Sequence, residues 1–205
     1  MRKQKVKLNR PIYIGFTCLE YAKHLMYKTY YENFKPFYKD RITLAYTDTD
    51  SFLLVTKTRD FYMDLKNHFS HIMDFSNYPR DHFLHDNCNA KVVGLFKDEF
   101  AGQTIKEFIG LKPKLYSILY DGGKFKNTAK GLQRSVLKKT INHNHYRNVL
   151  FQRKTIQSVM RRIQLKEHKL STIETIKRVF TPLDDKRYYK DDGISSLGFG
   201  HYSIV

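Results

Sequence analysis

Two short runs suited to β-strands, Ile42-Thr43-Leu44-Ala45 and Phe52-Leu53-Leu54-Val55, flank the polar hexapeptide Tyr46-Thr47-Asp48-Thr49-Asp50-Ser51. Apolar and β-branched residues on both sides of a turn-forming centre predict a β-hairpin over about residues 41–57. A tight turn centred on Thr49 would carry Asp48 and Asp50 out together beyond the strands. Hard divalent cations take oxygen ligands, and magnesium binds through one or two protein carboxylates plus substrate phosphates. Asp and Thr also favour turns for local hydrogen-bonding reasons. The spacing alone therefore leaves both a polar turn and a metal-binding tip open.

Around this hairpin the pattern is mixed. Pro11 to Gly15 reads as a connector and Phe16 to about Phe34 as a helix, with Leu19, Met26, Tyr27 and Tyr30 on a largely apolar face and Lys23 at its edge. Lys35-Pro36 should end it, because a residue before proline avoids the helical region. Asp60 to Phe69 reads as a helix packing across the hairpin. Residues 70–90, punctuated by Asn77, Pro79, Asp81, Asp86 and Asn89, read as mostly loop. Strands are expected over 92–96, 104–109 and 115–119, with a turn at Asp121-Gly122-Gly123. Helices are expected near 129–141, 143–152, 154–163 and 171–179, and an irregular extension beyond Pro182. The fold class is α+β.

The net charge of +17 is unevenly spread. From Ile105 to Arg178 there are 18 Lys or Arg against four acids, so this segment carries a net +14. Such a concentration is the electrostatic footprint of a nucleic-acid partner, although a merely solubilising surface or an anionic membrane also suits basic helices. Lys130, Arg134 and Lys138 recur every four residues and would form one stripe on a helix, with Leu132, Val136 and Leu137 free to pack. A stripe of that kind follows a phosphate backbone without reading sequence. Lys114 and Tyr116, two apart on an expected strand, would share a face. No run approaches a membrane span, and no signal-type apolar stretch follows the basic start Met1-Arg2-Lys3-Gln4-Lys5. Cys18 and Cys88 lack metal-ligand spacing and are expected as reduced thiols of an intracellular protein, not a secreted one. His143-Asn144-His145 has no partnering cysteines for zinc.

The hexapeptide resembles the palm motif Y-x-D-T-D-S of family B DNA polymerases. Lys112-Pro113-Lys114-Leu115-Tyr116-Ser117 resembles the lysine-x-tyrosine motif of the protein-primed members. Residues 74–82, 97–109, 130–140 and 184–202 are similar to polymerases of Maverick/Polinton elements and related viruses. The family's first palm motif, D-x-x-S-L-Y-P, and its fingers motif, K-x-x-x-N-S-x-Y-G, do not occur in this sequence.

The resemblance implies a C-terminal polymerase portion: late palm over 1–120, a basic, mostly helical thumb over 121–182, and an extension over 183–205. It implies magnesium-dependent nucleotidyl transfer from a dNTP to a primer end, with two metal ions. Asp50 is then the direct ligand and Asp48 its support, with Tyr46, Thr49 and Ser51 shaping the tip. Lys112, Lys114 and Tyr116 would face the primer terminus, and Lys130, Arg134, Lys138 and Lys139 the duplex. The implied partners are a DNA primer–template, a dNTP, and the missing N-terminal portion or a terminal protein. Two carboxylates from one hairpin do not by themselves fix two ions about 3.5–4 Å apart, so the chain is expected to be incomplete alone. The alternative is a non-catalytic, sequence-indifferent DNA-binding remnant. A nuclear address would suit either.

Overall fold

The computed structural model describes residues 9–183, 187–192, 195–198 and 200–204. The chain divides into two compact units, Met1–Gly102 and Gln103–Val205.

The first unit opens with helix α1, Ile12–Lys28, which starts at Pro11 and runs straight through Gly15. The connector expected at 11–15 is thus helical. Proline's fixed φ suits a helix start, and one glycine costs a helix only about 1 kcal/mol. The helix passes into a π-helical turn, Thr29–Phe34, and then α2, Lys35–Tyr38. Pro36 does not end it. The π turn interrupts the i→i−4 ladder just upstream, so the proline falls in the first turn of a new α segment, where a missing N–H costs little.

That π turn also aligns the core. Met26, Tyr30, Phe34 and Tyr38 are all buried at a four-residue spacing. On a regular helix such a spacing drifts about 40° per step, roughly 120° over three. A π turn absorbs one extra residue and keeps the four on one side. The remaining apolar residues of α1 are not core: Leu19 and Tyr27 are more than half exposed.

Strands β1 (Ile42–Asp48) and β2 (Ser51–Thr56) form the expected antiparallel hairpin, with an irregularity at Ala45. Its flanks are shallower than their composition implies. Only Ile42 is buried, and Val55 is exposed. Helix α3, Phe61–His68, is capped by Asp60, whose carboxylate accepts from Tyr62 N (2.9 Å) and Met63 N (3.1 Å). The rings of Phe34, Tyr38 and Phe69 meet between these elements, with Phe34 and Phe69 at 4.9 Å and Tyr38 stacked on Phe69 at 5.9 Å. The Tyr38 hydroxyl donates to Asp64 at 3.0 Å. Residues 70–90 are mostly turns, as expected, and the turns run on to 95. The strand foreseen at 92–96 is only β4, Phe96–Lys97, pairing in parallel with β3, Met73–Asp74. Val93 is almost fully exposed, so the apolar run that suggested a strand has no face to bury.

This irregular stretch is pinned by Asp74. Its buried carboxylate accepts from Ser76 N (2.8 Å) and Lys91 N (3.1 Å) and pairs with Lys97 (2.9 Å). Burial raises the carboxyl's pKa, but the hydrogen bonds from Ser76, Lys97 and Lys91 outweigh it and hold it well below the usual range.

The second unit is built on a three-stranded antiparallel meander: β5 (Ile105–Lys112), β6 (Leu115–Tyr120) and β7 (Lys124–Ala129). Gly122 and Gly123, both at positive φ, turn β6 into β7. Strand β7 was not expected, and residue 121, where the thumb was expected to begin, lies between two strands of this sheet. Helices α4 (Arg134–Thr140) and α5 (His143–Gln152) follow.

The segments expected as helices at 154–163 and 171–179 are instead two long strands, β8 (Ile156–Lys166) and β9 (Lys169–Phe180), paired as a ribbon. The region is therefore not mostly helical. Its β-branched content, including Thr172, Ile173, Thr175, Ile176 and Val179, suits a pleated strand better than a helix. A short pair, β10 (Arg187–Tyr189) with β11 (Ser196–Gly198), lies in the C-terminal stretch. The unit's core gathers Ile109, Leu115, Ala129, Ile141, Tyr146, Val149 and Phe180. The ring of Tyr146 packs tilted against that of Phe180, 4.6 Å between centroids, at the base of the ribbon. Among the described residues no helix is long and apolar enough to cross a membrane. Cys18 and Cys88 are exposed free thiols.

Candidate metal hairpin and nucleic-acid interface

At the hairpin tip Asp48 pairs with Ser51, leaving Thr49 and Asp50 as the turn. Asp50 N–H donates to Asp48 O at 2.7 Å, and Thr49 between them has φ +61°. An i→i+2 bond about a left-handed residue is a γ-turn of the rarer, strained kind. A β-branched residue at such a φ is an outlier. The hydroxyls of the motif hold it there. Thr49 Oγ1 donates to Asp48 Oδ1 (3.2 Å), Ser51 Oγ to Asp48 O (3.2 Å) and Thr47 Oγ1 to Ser51 O (3.0 Å). The alternation of Thr, Asp and Ser is thus a local hydrogen-bonding device.

The tip places Asp50 in solvent and Asp48 half-buried at the strand end. Tyr46, half-buried, lies two residues down the same strand. Among the described residues no group of three or more His, Cys, Asp or Glu is gathered where it could hold a metal ion. The donor type suits magnesium, but two carboxylates do not complete a two-ion centre. Beside the tip, a groove of about 600 Å³ runs between α1, the π turn and the hairpin, lined by Tyr27, Tyr30, Leu44, Thr47, Thr49 and Phe52 among others.

In the second unit the structure rearranges the expected site. Lys112 closes β5 and Leu115 opens β6, so Pro113 and Lys114 are the turn between them, with Lys114 at φ +59°. Lys114 is therefore not on a strand, and it does not share a face with Tyr116 by pleating. A left-handed residue after proline is turn chemistry, which the sequence reading took for extended chain. Tyr116 is half-buried on β6, its ring 5.9 Å from that of Phe108.

The four-residue stripe is also broken. Helix α4 begins at Arg134, so Lys130 lies in the turn before it, while Arg134 and Lys138 are one turn apart and, with Lys139, exposed. Leu132 and Leu137 do pack on the core. Lys130 is instead tied to Lys114, its N–H donating to the Lys114 carbonyl at 2.9 Å.

The ribbon supplies cations that the sequence reading had scattered around helices. In its register Ser158 opposes Lys177, Met160 Thr175, Arg162 Ile173, Gln164 Ser171 and Lys166 Lys169. Paired residues share a face, so Arg162, Lys166, Lys169 and Lys177 lie together on one side with no acid. The acid of strand β9, Glu174, is on the other face, bonded to Arg161. Lys166 and Lys169 stand directly opposite each other, a like-charge pairing that destabilises a sheet and that an anionic partner would relieve. At the ribbon's base this face borders a hollow of about 370 Å³ lined by Gly131, Leu132, Gln133, Met160, Arg162, Thr175 and Lys177.

The chain matches no family model, no curated protein and no solved structure. The polymerase resemblance rests on the motifs quoted above.

Proposed function

We propose that this chain is the late-palm and thumb portion of a DNA-directed DNA polymerase of the family B, protein-primed type, incomplete by itself. The observation that carries the reading is the hexapeptide's position: a Y-x-D-T-D-S sequence at the tip of an antiparallel hairpin, with Thr49 held in a strained γ-turn between the two carboxylates. Strain at a non-glycine residue is a pointer to function when its surroundings over-determine it, and three hydroxyls do so here. Magnesium, when bound, would supply charge neutralisation for phosphoryl transfer. This chain's contribution is to hold Asp50 outward and Asp48 beside it. A third ligand, with the fingers, is what the reading requires beyond these residues. Its partners are a primer–template and a dNTP, and its address intracellular, in the nucleus for a mobile element of a nucleated host.

The test is reconstitution. Purified chain is combined with a family B fragment carrying the first palm motif and the fingers, and primer extension is followed with magnesium. Extension is expected, and Asp50→Ala should abolish it. Extension that survives Asp50→Ala removes the assigned role of that residue.

The segregated cations of the ribbon favour a second reading, a duplex-binding module with no chemistry of its own. Arg162, Lys166, Lys169 and Lys177, with Lys114, Lys130, Arg134, Lys138 and Lys139, would contact phosphates without reading bases. This module binds primer–template whatever its sequence and weakens steeply with salt. It does so equally well with Asp50→Ala. Binding that is independent of salt excludes it.

A further inference from the structure

The hollow of about 370 Å³ at the ribbon's base has walls from two parts of the second unit. Strands β8 and β9 supply Met160, Arg162, Thr175 and Lys177. The turn between β7 and α4 supplies Gly131, Leu132 and Gln133. The Gln133 side-chain amide donates to the Arg161 carbonyl and so ties this turn to β8.

Floor and rim differ in chemistry. Met160 is 8% exposed and Leu132 packs on the unit's core, so the floor is apolar. Arg162 and Lys177 are exposed at the rim, and among the described residues neither side chain is engaged in an ion pair or hydrogen bond. No acid lines the hollow. Gly131, at φ +94°, lies against the Lys177 ammonium, which is 3.8 Å from where a Cβ would stand. The absence of a side chain at Gly131 leaves that ammonium accessible.

A phosphate of a paired duplex would answer the two cations and leave the floor wet, because the bases stay stacked inside the helix. An unpaired nucleotide answers both. Its phosphates meet the cations, and its base, having no partner strand, is free to cover the apolar surface. Across the ribbon Lys177 opposes Ser158, four residues from Arg162 along β8, roughly 13 Å at the backbone. Both side chains are long enough to lean inward from that span, which suits the two phosphates flanking one nucleoside. Guanidinium and ammonium groups bind phosphate through charge-assisted hydrogen bonds.

We propose that the hollow holds one unpaired nucleotide of a DNA strand, its base over Leu132 and Met160 and its flanking phosphates on Arg162 and Lys177. The proposal rests on the nucleic-acid reading of the ribbon and narrows it. The base of the ribbon takes single strand, while Lys166 and Lys169 near its tip serve phosphates of paired and unpaired DNA alike. No ring lines the hollow, so the base is met by aliphatic carbon and a polarizable thioether. Such a contact accepts any base.

Fluorescence anisotropy on the full chain tests this with three labelled probes: a short dT strand, the same strand with abasic units in place of its thymidines, and a blunt duplex. The two strands carry the same phosphates, so their difference isolates the base. The dT strand should bind about fivefold tighter than the abasic strand, or more, a base contact at the low end of its usual worth. Thr175→Leu, which fills the hollow and keeps both cations, should bring dT down to the affinity of the abasic strand. Arg162→Gln with Lys177→Gln, both exposed positions, should weaken both strands and shrink the slope of log affinity against log salt by roughly 1.4, about 0.7 for each contact on a single strand. Photocrosslinking of the unaltered chain to a strand bearing 5-iodouracil needs no variant to fold, and should attach at Met160. Equal affinity for dT and abasic strands with steep salt dependence retained, or crosslinks confined to residues away from the hollow, overturns the proposal and leaves the DNA reading standing. No binding of any probe at low salt overturns both.

Discussion

The backbone N–H of Lys130 donates to the carbonyl of Lys114 at 2.9 Å, so the turn that opens β6 and the turn that leaves β7 are stitched side by side. Two cations sixteen residues apart thus start from neighbouring backbone atoms. Neither the strand assigned to Lys114 nor the helix assigned to Lys130 survives. The proximity that matters for a shared phosphate comes from the meander instead.

The strain at Thr49 is testable by relief. Thr49→Gly removes the left-handed penalty of about 1–3 kcal/mol and costs about 1 kcal/mol in backbone entropy, together with one exposed hydroxyl bond. Urea denaturation should show it neutral to about 1 kcal/mol more stable. Clear destabilisation would mean that the γ-turn is not strained.

Tyr146 separates packing from hydrogen bonding. It is 0% exposed, its ring packs tilted against that of Phe180, and its hydroxyl reaches Thr128 O. Tyr146→Phe, which strands that carbonyl, should cost about 1 kcal/mol. Tyr146→Ala, which opens a cavity between α5 and the ribbon base, should cost roughly 3–5 kcal/mol. Equal losses by chemical denaturation would contradict the division.

For the ribbon, Lys166→Ala with Lys169→Ala should leave stability unchanged or slightly raised, since it removes an opposed like-charge pair. Duplex affinity should drop, and the slope of log affinity against log salt should shrink by roughly 2, about 0.9 for each phosphate contact. An unchanged slope in anisotropy titrations would place the duplex elsewhere.

Acid should act through Asp74. A carboxyl held below its ordinary pKa of about 3.9 contributes stability that is fully present above that value and is lost as pH falls through the folded-state value. Wild-type melting temperature should therefore decline below about pH 4. Asp74→Asn should be destabilised at neutral pH, with a flatter acid limb. An acid limb identical in the two proteins would assign the effect to other carboxylates.

The sequence by itself determined the hairpin and its tip, because alternating turn formers between two apolar runs are a local signal and the hydroxyl bonds that shape the turn, one to a carboxylate and two to backbone carbonyls, are made within five residues. It determined α3 through the Asp60 cap and α5 in full, since helix signals are equally local. It also determined that the positive charge concentrates after Ile105. The tertiary structure decided the rest. The helical run continues beyond α1 and through Pro36 in α2 because a π turn resets the ladder, a choice rewarded by the burial of Tyr30, Phe34 and Tyr38 on one side. The ribbon was illegible because its turn, Glu167-His168, places two ordinary residues at positive φ (51° and 60°) where Asn-Gly would have announced a hairpin. With no turn signal, β8 and β9 looked like basic helices. Only their pairing register put Arg162, Lys166, Lys169 and Lys177 on one face, because which side chains meet across a ribbon is set by non-local hydrogen bonds and not by spacing along the chain.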